Sequence, residues 1–277
     1  MHLEIAHETV YRYATPFKRS TQYLRLTPVS DARQTVRHWQ LELPAPVSRC
    51  RDAYGNELQV LTLDQPRSEI RLRAQGLVET LDGPPAPDPF DAFPPAVFLR
   101  DSALTEADAA LREFARVHAA AVAADARAGL LALLEALAVQ MPYLPGATDA
   151  ATKAAEAFAT RHGVCQDHAQ VFATCARLLG VPARYVSGYL AADAAHVASH
   201  AWAEARLPDG TAGGGGWLGF DVSNRCLADG RYVKLAIGAD YLDACPVRGM
   251  RLGGGDEAMA ATVQVTQAEA QVARSQQ

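Results

Sequence analysis

The sequence predicts an α+β protein: a small antiparallel β-sandwich-like module over residues 1–82, then a mixed domain over 101–265 with a helical half and an antiparallel sheet. Three observations lead there. Period-two alternation dominates the first eighty residues, helical spacing replaces it between about 101 and 180, and alternation returns after Pro182. A proline-rich stretch over 83–100 separates the two parts and is expected to hold no regular structure. The tail, 266–277, is rich in Gln and Ala and is expected to fray.

In the first module, Leu3-Glu4-Ile5-Ala6-His7, Thr9-Val10-Tyr11-Arg12-Tyr13 and the stretch from Val36 to Leu43 alternate as strands. Asp52-Ala53-Tyr54-Gly55-Asn56 is a turn signal, followed by strand patterns over 58–63 and 69–74. No catalytic grouping occurs here, so a structural or substrate-presenting role is expected. In the second part, Thr105 is a candidate helix cap, with Leu111, Phe114, Ala115, His118 and Val122 on one face. Leu130, Leu133, Leu134, Leu137 and Met141 form a second face ending at Pro142, and a third helix is expected from about Asp149 towards Phe158. Strands are then expected at 183–190, 199–207, 217–222, 232–237 and 261–265.

The chain has 277 residues, room for two cores, and a net charge of -5 from 26 Lys and Arg against 31 Asp and Glu. That balance gives no basic footprint for nucleic acid or an anionic membrane, and neither is an expected partner. No apolar run has the length of a membrane span, and Met1-His2-Leu3-Glu4-Ile5 lacks the features of a signal peptide, so a cytoplasmic location is expected. Five cysteines without framework spacing fit free thiols in a reducing compartment. Nothing in these features fixes an oligomeric state.

The sharpest chemical signal is Gly163-Val164-Cys165-Gln166-Asp167. His168, Phe172, Cys175 and Leu179 follow at helical intervals, and Gly180 with Pro182 ends the pattern. Cys165 therefore falls in the first turn, where unpaired N–H groups and the helix dipole favour a thiolate. Gly163 is expected to supply the sharp turn before it. Taken alone, a cysteine on an apolar stripe is more often packing, and Cys175 fits that reading.

A thiol nucleophile needs a base, and the base needs a group that orients it. Pro208-Asp209-Gly210 and the glycines 213–216 predict a hairpin whose symmetric register sets His200 opposite Asp221, within reach of an Nδ1–H bond. The same register pairs Glu204 with Trp217 and Trp202 with Gly219. His168 on the apolar stripe reads as a buried structural histidine, and His196 lies in the loop before the strand. His162, Cys165, His168, His196 and His200 could ligate zinc, but the His196-x-x-x-His200 spacing fits a helix and not the strand expected there, so no metal or other cofactor is expected. Asp167 is expected to point away from the thiol and brace neighbouring backbone. Tyr143 and Trp202 are the candidate substrate contacts, with core packing favoured for both.

The ordered motifs GVCQDHAQVFATCARLLGVPARYVSGYL (163–190), SHAWAEARLPDG (199–210), GWLGFDVSN (216–224) and GADYLDACPVRG (238–249) resemble the bacterial transglutaminase-like family, and RDAYGN (51–56) resembles part of its N-terminal β domain. The resemblance implies a papain-like transglutaminase core with a Cys-His-Asp triad at Cys165, His200 and Asp221. Many relatives carry Arg at the place of Ala239 and His at the place of Gln170, which bears on substrate contacts rather than on the triad. The expected activity is thiol acyl transfer on a peptide-like amide of a peptide or protein substrate, through a thioester, with hydrolysis favoured over amine transfer. The alternatives are an amine-accepting transglutaminase or ligase, and a non-catalytic peptide-binding module that keeps the fold.

Overall fold

The computed structural model describes residues 1–87, 93–146, 148–191, 199–211 and 214–268. Its first strand, β1 (His2–Leu24), joins into one 23-residue strand the runs that alternation alone separates. β2 (Gln34–Glu42), β3 (Val47–Arg51), β4 (Glu57–Leu63) and β5 (Arg67–Thr80) follow. The N-terminal half of β1 pairs with β5, and its C-terminal half pairs with β4. The β1–β5 pairing is interrupted between Arg12 and Phe17, around Pro16, whose missing N–H cannot serve a ladder.

The helical part contains α1 (Ala109–Val117), α2 (Ala119–Ala124), α3 (Ala126–Gln140), α4 (Ala154–Thr160) and α5 (Cys165–Leu178). Asp108, not Thr105, caps α1, its carboxylate accepting from the Leu111 N–H at 2.8 Å. The expected cap residue is instead buried, where its hydroxyl accepts from the Arg177 guanidinium at 2.8 Å. The helix expected from Asp149 starts five residues later, because Asp149 closes a local turn on Ala151 and Thr152.

β6 (Ala183–Leu190), β7 (Ser199–Leu207), β8 (Gly216–Asp221), β9 (Cys226–Leu227) and β10 (Tyr232–Gly238) form an antiparallel sheet in the order β10-β6-β7-β8-β9. Helix α5 packs on one face, where Val171, Phe172, Cys175 and Ala176 meet Ala183, Ala203, Ala205 and Phe220. The alanines let the helix approach closely, and Phe172 stacks on Phe220 at 5.0 Å. After the short α6 (Tyr241–Ala244), the chain leaves this sheet as β11 (Val247–Gly253) and β12 (Glu257–Gln267).

The strand expected at 261–265 exists within β12, but it does not extend the second sheet as the 101–265 division supposed. Both β11 and β12 pair with β1, so the C-terminal strands complete the N-terminal module. Val263 and Val265 face its core together with Leu3, Ile5, Phe17, Leu61, Ile70 and Leu72. Thr266 and Gln267 of the expected tail belong to β12, and residues 269–277 lie outside the described residues.

Two further departures concern the linker. Ala86 bridges Trp217 by two backbone hydrogen bonds, of 3.2 and 2.9 Å, and Pro95–Leu99 forms a 3₁₀ turn whose Phe98 packs edge-on against Trp217 at 5.3 Å. Ala86 and Phe98 thus dock on the sheet from either side of residues 88–92, which lie outside the described residues.

The modules share a core, since Tyr189, Val233 and Leu235 of the second sheet pack among the residues of the first. Two carboxamides seal the outer edge of β10. Gln34 donates to the Lys234 carbonyl and accepts from its N–H, both at 2.8 Å. Asn56 does the same with Ile237, again at 2.8 Å in both directions. Asn56 is held by Asp52, which also pairs with Arg25 at 2.7 Å, and Gly55 turns the chain with φ 85°.

Candidate active site

Cys165 is the first residue of α5, so its N–H has no intrahelical acceptor. The start of this helix is built around Asp167, which is fully buried. Its Oδ2 accepts from the Val164 N–H at 2.8 Å and from the Thr148 hydroxyl at 2.6 Å, the backbone-bracing role expected of it. Gly163 is needed for a different reason from the one its sequence suggests. Its φ is not positive, but a Cβ there would lie 2.7 Å from the Asp167 Cβ, so only glycine admits the carboxylate.

His200 and Asp221 meet, though not in the expected register. Glu204 pairs with Gly219 and Ala203 with Phe220, a two-residue shift that arises because the centre of the 208–215 connection falls one residue later than the midpoint between Gly210 and Thr211 on which the expected register was built. Glu204 therefore does not face Trp217, nor Trp202 Gly219. An even shift preserves which face each side chain occupies, so the contact survives as a diagonal one. The bond also uses the other ring nitrogen from the one expected. His200 Nε2 lies 2.6 Å from Asp221 Oδ2, which leaves Nδ1 for Cys165.

Burial alone would lower the His200 pKa, but the hydrogen bond and charge of Asp221, together with those of Cys165, outweigh it and raise it to about 10. Asp221 is nearly fully buried, and burial would raise its carboxyl. His200, Asn224 and Tyr232 override that and hold it below the ordinary range. Asn224 donates to Asp221 twice, from Nδ2 at 2.7 Å and from its backbone N–H at 3.1 Å. The Tyr232 hydroxyl donates to Oδ2 at 2.8 Å. Sequence reasoning missed both residues. Asn224 was within reach, as a donor three residues beyond an acid at a strand end, whereas Tyr232 arrives from β10 and left no local signal.

The two candidate contact residues separate. Trp202 is 3 % exposed and forms a floor, with its indole 6.3 Å from the His200 ring and 5.3 Å from that of Tyr232. Tyr143 is 53 % exposed, contrary to the core packing favoured for it. A parallel bridge to Gly163 fixes it beside the loop that precedes Cys165, and the Leu144 N–H donates to the Gly163 carbonyl at 2.8 Å. Burial raises its phenol pKa, and the charges of Cys165 and Asp221 add to the effect.

His168 is a buried structural residue, with Nδ1 2.8 Å from the Ser223 hydroxyl and Nε2 2.8 Å from the Met141 carbonyl. Among the described residues no group of three or more His, Cys, Asp or Glu is placed to hold a metal. His196 lies outside the described residues.

This helix-on-sheet scaffold is that of a transglutaminase-like core, and residues 114–222, which include Cys165, His200 and Asp221, match the Transglutaminase-like superfamily. Residues 3–79 match the Bacterial transglutaminase-like N-terminal region. The chain is 32 % identical to the uncharacterized protein Rv2569c of Mycobacterium tuberculosis, over 89 % of this chain and 86 % of that one. It is 29 % identical to the uncharacterized protein ML0607 of Mycobacterium leprae, over 95 % and 98 %. The fold resembles that of a Cytophaga hutchinsonii protein named as a candidate cysteine protease, with a TM-score of 0.76 at 21 % identity, covering 96 % of this chain and 90 % of that one. The chain belongs to the bacterial transglutaminase-like family.

Proposed function

We propose that the protein is a thiol acyl-transfer enzyme acting on a peptide-like amide, with Cys165 as nucleophile, His200 as its acid–base partner and Asp221 orienting the imidazole. The observation that carries this reading is the 2.6 Å bond from His200 Nε2 to Asp221, which fixes the ring while Cys165 and Asp221 together favour its protonated form. The Cys165 thiolate attacks the amide carbonyl and a C–S bond forms. His200 passes its proton to the departing nitrogen as the C–N bond breaks, which leaves a thioester. Water then attacks the thioester, giving up a proton to His200, and the C–S bond breaks to release the acid. The Cys165 N–H, which has no intrahelical acceptor at the start of α5, donates to the carbonyl oxygen as it gains charge, a contact worth about 3 kcal/mol in comparable sites.

Hydrolysis is favoured over amine transfer because Cys165 is only half-buried and its neighbours Tyr143 and Leu144 are 53 and 50 % exposed, which leaves water access. Tyr143 is the proposed substrate contact. Alkylation by iodoacetamide, followed by mass spectrometry from pH 5 to 9, tests the reading. Cys165 should label at least about tenfold faster than the exposed Cys50 near neutral pH, and His200→Ala should remove that advantage. Equal rates at the two cysteines, unchanged by His200→Ala, would sink it.

A further inference from the structure

We infer that Tyr232 is a positioning residue of this site, its hydroxyl acting through Asp221 to hold the carboxylate ionised and aimed at His200. The inference rests on the acyl-transfer reading above and extends it to a residue outside the triad. Asp221 Oδ2 receives three donors: His200 Nε2 at 2.6 Å, Asn224 Nδ2 at 2.7 Å and the Tyr232 hydroxyl at 2.8 Å. A carboxylate held from three directions cannot swing, and each donor favours its charged form. The Tyr232 hydroxyl spans from β10 to β8 across two intervening strands.

What allows that reach is the Trp202 floor. A Cβ at Gly188 of β6 would lie 2.7 Å from the Trp202 ring, and one at Gly219 of β8 would lie 3.2 Å from it. The indole thus lies across both neighbouring strands, and Tyr232 packs edge-on against it at 5.3 Å and 78°. The phenol is buried, and burial, followed by the Asp221 charge, pushes its pKa up, so the hydroxyl remains a donor at any working pH.

The other titratable groups facing the Asp221–His200 pair are Cys165 and His168 from α5, Cys226 from β9 and Tyr143 from the bridge to Gly163. Cys226 Sγ lies 3.3 Å from the Tyr232 oxygen, so Tyr232→Phe also takes a hydrogen-bond partner from this thiol, whereas Asn224→Ala leaves that contact in place. Removing the hydroxyl takes one donor from Asp221 and leaves the His200 and Asn224 donors on it. Asp221 would take up a proton at a higher pH, the imidazolium would lose its support there, and the reactive thiolate would be lost with it.

The test is the pH dependence of Cys165 acylation by p-nitrophenyl acetate in the full chain, with thermal midpoints measured alongside. Tyr232→Phe keeps the ring on Trp202 and should move the acid limb up by about 0.5–1 pH unit. Asn224→Ala, which takes another donor from the same oxygen, should move it in the same direction and serves if the phenylalanine variant folds poorly. A purely structural role would lower the thermal midpoint and scale the rate equally at every pH, and an acid limb in its wild-type position in both variants overturns the proposal. If wild-type Cys165 is acylated no faster than Cys50, with no dependence on His200, the acyl-transfer reading itself fails and this one falls with it. Selective, His200-dependent acylation with unmoved limbs removes the Tyr232 role alone.

Discussion

Asp167 illustrates how a charged side chain can serve a site without touching its chemistry. One of its oxygens accepts two hydrogen bonds at the start of α5, while the other is buried without a hydrogen-bond partner among the described residues. Asp167→Ala should cost about 1–3 kcal/mol in urea unfolding, because the Val164 N–H and the Thr148 hydroxyl lose their acceptor. His200 gives a pH prediction of the opposite kind to the usual carboxylate. Its folded pKa, about 10, lies above the unfolded value near 6.5, so its contribution to stability is complete below about pH 6.5 and is lost as pH rises through 10. The stability gap between wild type and His200→Ala should therefore be widest at pH 6 and nearly closed above pH 10. A gap that stays constant over that range would mean that the imidazolium is not held in the folded state.

At the scale of elements, the edges of α5, β6 and β7 were legible in the sequence because periodicity changes abruptly at Gly163, Pro182 and Ser199. The hairpin register was not legible, since both Asp209-Gly210 and the glycines of 213–216 can turn the chain and their spacing does not fix which residue lies at the centre. Nor could alternation reveal the partner of β12. Period two marks a strand with a buried face, but it says nothing of which sheet supplies the neighbour. The catalytic candidates Cys165, His200 and Asp221 could be read because they lie at element ends, whereas Tyr232 and the Trp202 floor depend on packing across strands. Gly188 and Gly219 are the trace that floor left in the sequence, each looking like a weak point in a strand. Gly188→Ala would set a Cβ 2.2 Å from the Val233 carbonyl and 2.7 Å from the Trp202 ring, so we expect a loss of at least about 2 kcal/mol, with slower Cys165 alkylation. Chemical denaturation and labelling of the same sample check both.

Across the whole molecule, the two sheets behave as one body, because the second sheet's Tyr189, Val233 and Leu235 complete the core of the first, and Gln34 and Asn56 close the β10 edge. Asn56→Ala would orphan the Ile237 N–H and carbonyl, and it should cost about 2–4 kcal/mol while leaving a single unfolding transition. Tryptophan fluorescence and far-ultraviolet circular dichroism should give coincident melting curves; two separated transitions would show the modules to be independent. The arrangement around β1 also imposes an order of events during synthesis. The strand made first finds β4 and β5 within its first 80 residues, but its other edge stays open until β11 and β12 emerge more than 220 residues after β1 ends. At ribosomal speeds that wait lasts on the order of tens of seconds. Throughout it the nascent chain carries a long, half-paired strand, the kind of edge that recruits other chains, and its final two strands are what withdraw that invitation.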